Sequence, residues 1–541
     1  MPLPLLLRGV IHLFMIWYNG KIKIIGIVKI RMEKDHTTKQ LFRGALLLTF
    51  AGLISKVLSA GYRVPLQNIT GDVGFYIYQQ IYPFLGIALM LSLYGLPTAI
   101  SKVVSEQSKY KKLSIPSFYI PVVSLLYLTC VCLFAILFFF APQIASWMGD
   151  SNLESSLRVG SLIFFIVPLV SLIRGVFQGL NNMKPTALSQ IIEQLIRVAV
   201  IILIAIVVAR KGQDFYQIGV GAAFASIAGT MVTLLFLLYL WLKNKPFNWV
   251  KHPFKWLDYS KSIIFYGFLI SINHMILLLF QLSDAFTLVP NLLEYGYNVE
   301  EAKVWKGVFD RGYPLIQLGT VIGSSLAIAL IPQVTKTRLE KSPNVFKHHI
   351  QSVIKLSLYL SAGATVGLIL IFPEVNKLLF QDAKGNASLI ILTCTILLAS
   401  QAITIATVLQ GLDYGKSTAV FIVIAFMAKY GLNAMLIPQY GITGSAIGTV
   451  LSAGILLLLN ISKLKRVIPT GKLLVLPIRA FSIAIAVMAL FLICMDMFIF
   501  DLFTVDTRLE HLVYILVTVS VGALLYFTML IIYDGFNEEE I

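Results

Sequence analysis

Apolar residues run in blocks of about twenty or more, and polar residues gather in the short intervals between them. The blocks fall near residues 41–64, 73–99, 117–141, 158–180, 187–209, 216–242, 262–289, 312–332, 350–372, 386–411, 417–436, 442–462, 473–497 and 511–533. Crossing a hydrocarbon core as a helix takes about 20 residues. Lipid offers a backbone no hydrogen-bond partners, so only helices or closed barrels span it. Barrel strands are about ten residues long, much shorter than these blocks. The pattern predicts an all-α polytopic membrane protein of about fourteen helices, with no large soluble domain.

The intervals alternate in charge. Lys and Arg crowd residues 21–43, 102–112, 243–261, 336–347 and 463–472, with Lys184 and Lys416 between, and are sparse at 210–211, 303–311, 377–384 and 508. Basic loops stay on the cytoplasmic side, so both termini are expected there, as an even number of spans requires. This placement explains the net charge of +17 and excludes a nucleic-acid partner. Only 13% of residues are charged and 58% are hydrophobic, with a mean hydropathy of +0.84. Soluble proteins carry about 25% charged residues.

Cys130, Cys132, Cys394 and Cys494 all lie inside apolar blocks without a CxxC pair, so they read as packing residues rather than disulfides or zinc ligands. Residues 1–31 are basic and apolar and lack a small-residue cleavage site; they read as an extra anchor or as untranslated sequence ahead of a start at Met32. Gly411 to Thr418 resembles a phosphate-binding loop but is one residue short of that spacing and follows a helix rather than a strand. No catalytic triad or metal-ligand cluster stands out, so an enzyme is not expected, and transport would draw on an ion gradient, the membrane potential or the substrate gradient without a cofactor.

The chain matches itself at an offset of about 231. Phe177-Gln178-Gly179-Leu180 with Lys184 returns as Leu409-Gln410-Gly411-Leu412 with Lys416. Arg197 returns as Lys429, Tyr82-Pro83 as Tyr313-Pro314, and Pro142 as Pro373. Six spans separate the copies, so the halves are parallel repeats, the arrangement of transporters with a site between halves. The expected organisation is a segment 1–37, an N lobe 38–245, a C lobe 246–466, and a last helix pair with tail at 467–541.

Ionisable residues within spans are costly and need a cavity, a partner or a nearby interface. Lys56 and Arg63 lie seven apart on one helix face. Gln190, Glu193, Gln194 and Arg197 form a stripe, as do His274, Gln281 and Asp284. Arg174 shares a face with Gln178, and Asp310 and Arg311 open the eighth span. Each has a plain alternative: Glu193 and Arg197 neutralising each other, Asp284 and Arg63 reaching headgroups, His274 packed in the core, Arg311 capping a loop. The N-half cations Lys56, Arg63, Arg174 and Arg197 outnumber their carboxylate, Glu193. Such a cavity suits an anion, because guanidinium forks match phosphate oxygens.

Phe42-Arg43-Gly44, Ile54-Ser55-Lys56-Val57-Leu58, Tyr62-Arg63-Val64-Pro65-Leu66, Tyr78-Gln79-Gln80-Ile81-Tyr82-Pro83, Leu96-Pro97-Thr98 and Phe309-Asp310-Arg311-Gly312-Tyr313-Pro314 together resemble the polysaccharide-transport branch of the MATE/MOP exporter superfamily, which includes MurJ-, YtgP- and SpoVB-type proteins. The resemblance covers residues 38–535. It implies a two-lobed bundle in the bacterial plasma membrane that flips a polyprenyl-pyrophosphate-linked glycan such as lipid II, acting as a monomer with membrane lipids and this substrate as its partners. It places Lys56, Arg63, Asp310 and Arg311 on the central cavity; the polar residues within the spans add Arg174, Glu193, Arg197 and Gln79 as candidate substrate contacts. Lys56 stands where arginine is frequent, Gln79 and Gln80 where one branch has an arginine. Alternative readings are a flippase for a teichoic or capsular precursor, a cation-coupled drug exporter of the same superfamily, and a membrane enzyme acting on lipid-linked sugars.

Overall fold

The computed structural model describes residues 36–106, 113–250, 256–330, 343–468, 476–502 and 507–536. The expectations for residues 1–31 and for a start at Met32 lie outside them. The described chain is helical, apart from a two-residue parallel pairing of Leu113 with Phe247 and Ser114 with Asn248 that ties two basic-side intervals together. Among the described residues, twelve runs are long and apolar enough to cross a membrane. The first, Leu47–Glu106, is 60 residues long. At about 1.5 Å per residue it is three times a bilayer core, so it holds two crossings.

Those crossings meet at Gly71, whose φ of +68° and ψ of −174° reverse the chain. A side chain there would be strained. The His36–Gly61 helix passes through Tyr62, still in the αR region, and coils on to Thr70. The first crossing thus runs past the expected end at 64, because Arg63 and Gln67 are buried in protein and need not leave the apolar layer. Large side chains around the bundle, such as Phe50, Leu128, Leu203, Met427 and Leu516, are exposed, as a lipid-facing surface requires.

The helices pack in two sets. In the first, Lys184–Lys211 lies along Tyr216–Asn244 and His36–Gly61, and Leu96–Glu106 along Val167–Gly179. In the second, Gly415–Tyr440 lies along Ile442–Val467 and Ile276–Tyr295, and Pro343–Phe380 along Thr395–Gly411. Ile478–Leu502 and Arg508–Ile532 pair with each other and lean on Pro343–Phe380 through Tyr359, Met488, Leu492 and Tyr526.

The sets also pack through Gly312–Leu330 on His36–Gly61 and Ile276–Tyr295 on Arg63–Met90, and two seams lie toward opposite ends. On the basic side, a π-helical turn at Leu91–Gly95 meets the helix Gly267–His274, and the Leu96–Glu106 helix after it meets a second π turn at Ser262–Tyr266. A π turn widens the coil and often marks a functional site. The approach is close: a Cβ at Gly95 would lie 1.8 Å from Ser271 Oγ and 2.3 Å from the Gly267 carbonyl oxygen. Gly95→Val is therefore expected to lower stability by about 1–3 kcal/mol through overpacking. Gly367→Val, at a helical glycine with nothing within 4 Å, is the control. Melting of the two purified variants checks this, and equal melting points would refute it. The second seam, on the far side, carries the polar residues described next.

Candidate functional site

Arg63 is fully buried at the start of Arg63–Met90. Its guanidinium lies 4.2 Å from the centroid of the Tyr82 ring. None of its three nitrogens makes a well-aligned hydrogen bond among the described residues, although the Tyr78 hydroxyl is beside it. The neighbouring Tyr78 hydroxyl is engaged with that of Tyr62. Beside it a cavity of about 10 Å³, lined by Tyr62, Tyr78, Tyr82, Arg197 and Ser226 among others, has room for about one water. A buried guanidinium without acceptors forfeits several kcal/mol of hydration.

The other N-half arginines differ. Arg174 gives Nη2 to Glu193 Oε2 at 2.8 Å, Nε to Ser189 Oγ at 3.0 Å and Nη1 to the Ser92 carbonyl at 3.2 Å. Arg197 gives Nη2 to Glu193 Oε1 at 3.0 Å, and the Thr230 hydroxyl donates to the same oxygen at 3.0 Å. Glu193 is thus bound by two cations and a hydroxyl. Arg174 has no exposed surface, whereas Arg197 reaches the tyrosine cavity and leaves Nε without a partner.

Lys56 is half-buried on His36–Gly61 and is an electrostatic neighbour of His274. His274, expected as a packed core residue, is exposed and stacks at 4.3 Å on Tyr94 of the other set. The helix breaks just beyond it at Met275. Gln79 is buried with both amide atoms lacking partners among the described residues; Gln80 donates to the Ala285 carbonyl at 3.2 Å.

The far-side seam is built on the Val299–Asp310 helix, which sequence reasoning took for a loop. Its signal was present: Asn298 and Glu301 form a capping box. A Cβ at Gly307 would lie 2.2 Å from the Asp72 carbonyl oxygen, so this helix sits directly on the Gly71 reversal. Arg311, just past its end, spans the sets. It donates Nη2 and Nε to Asp72 Oδ1 at 2.5 and 3.0 Å, and Nη1 and Nη2 to Asp382 Oδ1 and Oδ2 at 2.5 and 3.0 Å. Burial opposes ionisation of Asp382, but Arg311 and the Lys384 N–H hold its carboxyl below the usual range. Nearby, Lys303 lies 3.8 Å from Asp150, which also accepts from Tyr216 at 2.6 Å and Tyr76 at 3.0 Å. Asn68 donates to the Leu379 carbonyl at 2.7 Å, and Arg508 donates to the Leu378 carbonyl at 3.0 Å.

Asp310 is buried and takes Lys306 Nζ on both oxygens at 2.6 and 2.7 Å. Asp284, for which reaching the headgroups was the plain alternative, is instead fully buried. It pairs with Lys429 at 2.7 Å, accepts from Asn433 at 2.8 Å and Ser445 at 2.9 Å, and accepts from the Tyr313 hydroxyl. Sequence reasoning missed Asp72, Asp382, Lys306 and Lys429 as partners.

Residues 41–338 match the family described as polysaccharide biosynthesis protein. Among relatives from Bacillus subtilis (strain 168), the uncharacterized membrane protein YabM is 41% identical over 433 residues, covering 79% of this chain and 80% of the relative. Stage V sporulation protein B is 26% identical over 468 residues, 84% of this chain and 88% of that protein. Lipid II flippase MurJ is 25% identical over 460 residues, 79% of this chain and 83% of that protein. Of solved structures, lipid II flippase MurJ in an inward closed conformation aligns with a TM-score of 0.65 at 16% identity, over 90% of this chain and 99% of that one. An inward-facing multidrug resistance MATE family transporter aligns with a TM-score of 0.61 at 17% identity, over 79% of this chain and 100% of that one. The chain is a multi-pass membrane protein belonging to the polysaccharide biosynthesis protein family.

Proposed function

We propose that this protein flips an undecaprenyl-pyrophosphate-linked glycan precursor, of the lipid II kind, from the inner to the outer leaflet of the bacterial plasma membrane by alternating access. The observation that carries the reading is Arg63: a fully buried guanidinium without a well-aligned hydrogen bond among the described residues, beside a tyrosine-lined space within the first helix set. A pyrophosphate supplies paired oxygens that such a fork matches. Family membership supports the same reading. With the basic loops cytoplasmic, the far side is the outer side. The Asp72–Arg311–Asp382 seam then closes the exit, and the Gly95–Gly267 seam parts for a head group to enter from within, past Lys56 and His274. Rocking of residues 38–245 as an N lobe against 246–466 as a C lobe breaks the seam and releases the head group. No cofactor is needed, and a monomer suffices. Moving a charge through 100 mV is worth about 2.3 kcal/mol, so the potential helps carry an anion outward.

A cation-coupled drug exporter needs a free carboxylate in the N half. Glu193, the acidic residue of the N-half stripe, is held by Arg174, Arg197 and Thr230, which weighs against that reading. The test is flipping of fluorescent lipid II in proteoliposomes, with Arg63→Ala alongside. Protein-dependent flipping lost in the variant supports the proposal. Flipping of undecaprenyl pyrophosphate carrying a different glycan, without lipid II, moves the substrate to a teichoic or capsular precursor. Flipping of neither overturns it.

A further inference from the structure

The last two helices stand outside the repeat, and rocking of the two lobes gives them no task. Their polar contacts do. The pair is fixed to Pro343–Phe380 toward both ends. On the basic side, the Tyr359 hydroxyl donates to the Gly535 carbonyl at 2.8 Å, and the Tyr526 hydroxyl donates to the Tyr359 carbonyl at 2.9 Å. On the far side, Arg508 opens the Arg508–Ile532 helix. It donates Nε to the Leu378 carbonyl at 3.0 Å and Nη2 to the Leu379 carbonyl at 3.3 Å. Both carbonyls lie in the last turn of Pro343–Phe380, where a helix leaves C=O groups unpaired and favours a cation. Arg508 also reaches the first helix set, donating Nη2 to Asn68 Oδ1 at 3.3 Å. Asn68 donates to the same Leu379 carbonyl at 2.7 Å, and its oxygen accepts from Gln381 Nε2. First set, second set and last pair thus close a ring of hydrogen bonds around residues 378–381.

We propose that Arg508 is a positioning residue of the exit: through it the last helix pair holds the 378–381 turn so that Asp382 meets Arg311. The inference rests on reading the Asp72–Arg311–Asp382 seam as the exit. Arg508 bonds to backbone carbonyls and to Asn68, not to the seam carboxylates, so it acts through the turn. That turn needs holding. Gln381, immediately before Asp382, has φ of +64°, a left-handed conformation that disfavours a residue with a side chain and persists where its surroundings fix it. The limb after Asp382 is braced from its own helix, Asn376 donating to the Lys384 carbonyl at 3.1 Å and to Asn386 Oδ1 at 2.7 Å. The limb before it takes its side-chain donors from the other two bodies, Asn68 and Arg508. Opening the exit carries Asn68 away with the first set, so the ring breaks together with the seam.

Accessibility of the exit tests this. Gln67→Cys, buried and hydrogen-bonded to Asp72 as glutamine, is placed in the full chain with the four native cysteines replaced. It is labelled in intact cells with a membrane-impermeant thiol reagent. Arg508→Ala, Arg311→Ala and the double variant are compared with that parent. Arg508 is exposed, so its bonds are worth less than those of the buried Arg311. Arg508→Ala should speed labelling about threefold, less than Arg311→Ala does. Arg508→Lys keeps a cation at the helix end and should fall between Arg508→Ala and the parent. The double variant should label no faster than Arg311→Ala, because a residue that acts through the seam has nothing to position once the seam is gone. A residue that merely supports the fold would lower the melting point and multiply the two rates. Should Arg508→Ala not accumulate in the membrane, Arg508→Gln, which keeps most of the stem without the charge, goes through the same comparison. Labelling of the Arg508 variants at the parent's rate, with Arg311→Ala fast, overturns the positioning role and leaves the seam standing. Rates that multiply in the double variant overturn it as well. Slow labelling of Arg311→Ala overturns the seam and this inference with it.

Discussion

Arg63→Ala should silence the protein without melting it. The guanidinium makes no well-aligned hydrogen bond among the described residues and rests on the Tyr82 ring, with the Tyr78 hydroxyl beside it. Removing it leaves no protein acceptor orphaned and relieves a buried charge, so stability should change by less than about 1 kcal/mol or rise. Anion binding loses its fork, and flipping should fall about a hundredfold, the scale of losing charge-assisted hydrogen bonds in a dry site. Arg63→Lys keeps the charge but not the two-pronged geometry and should recover only part of the rate. Glu193→Ala makes the contrast. It strands two buried guanidinium groups, Arg174 and Arg197, and truncating one member of a buried ionic network costs about 3–5 kcal/mol. That variant should lose its fold in detergent before any question of transport arises. Melting and flipping measured on both proteins separate the roles. Two variants that melt alike, or an Arg63→Ala protein that flips normally, would sink the distinction.

What sequence showed and hid follows from how each feature is encoded. The crossings were legible because lipid demands long apolar runs, and each run carries its own evidence. The Val299–Asp310 helix was hidden because it is short and amphipathic and fits no spanning template, although its Asn298–Glu301 box was there to read. The stripe containing Glu193 and Arg197 was visible because both sit on one helix, four residues apart. Its counterpart in the second half was not. Lys429 stands where Arg197 does in the repeat, but its carboxylate, Asp284, comes from another helix. A self-match finds the cation and cannot find the partner. Arg311 was chosen for its place beside Asp310, yet its carboxylates lie 239 and 71 residues away, a separation no local pattern spans. The apolar frame is a local property and the polar seams are a tertiary one, so the fold was read more fully than the site.

Arg311→Ala should open the far side. This arginine meets one carboxylate from each helix set, Asp72 and Asp382, through four hydrogen bonds of 2.5–3.0 Å. Without it two carboxylates face each other with no cation between them. Truncating one partner of a buried charged contact costs about 2–5 kcal/mol. That cost falls on the closed arrangement alone, because an open seam hydrates both carboxylates. A 3 kcal/mol bias shifts a two-state population by about a hundredfold. The reporter is Gln67→Cys, buried beside Asp72, in a protein whose four native cysteines are replaced. A membrane-impermeant thiol reagent applied from outside should label it slowly in that parent and more than about tenfold faster once Arg311 is removed. Lys384→Ala, at an exposed side chain of the same turn, should change nothing. Flipping should slow, because a protein held open outward seldom offers its cavity to the inner leaflet. The decisive variant neutralises the carboxylates as well. Asp72→Asn/Asp382→Asn added to Arg311→Ala removes the repulsion, so the seam should close again and both labelling and flipping should return toward the parent. If the triple variant stays open, the seam is held by side-chain bulk rather than charge, and the ionic account of the exit fails.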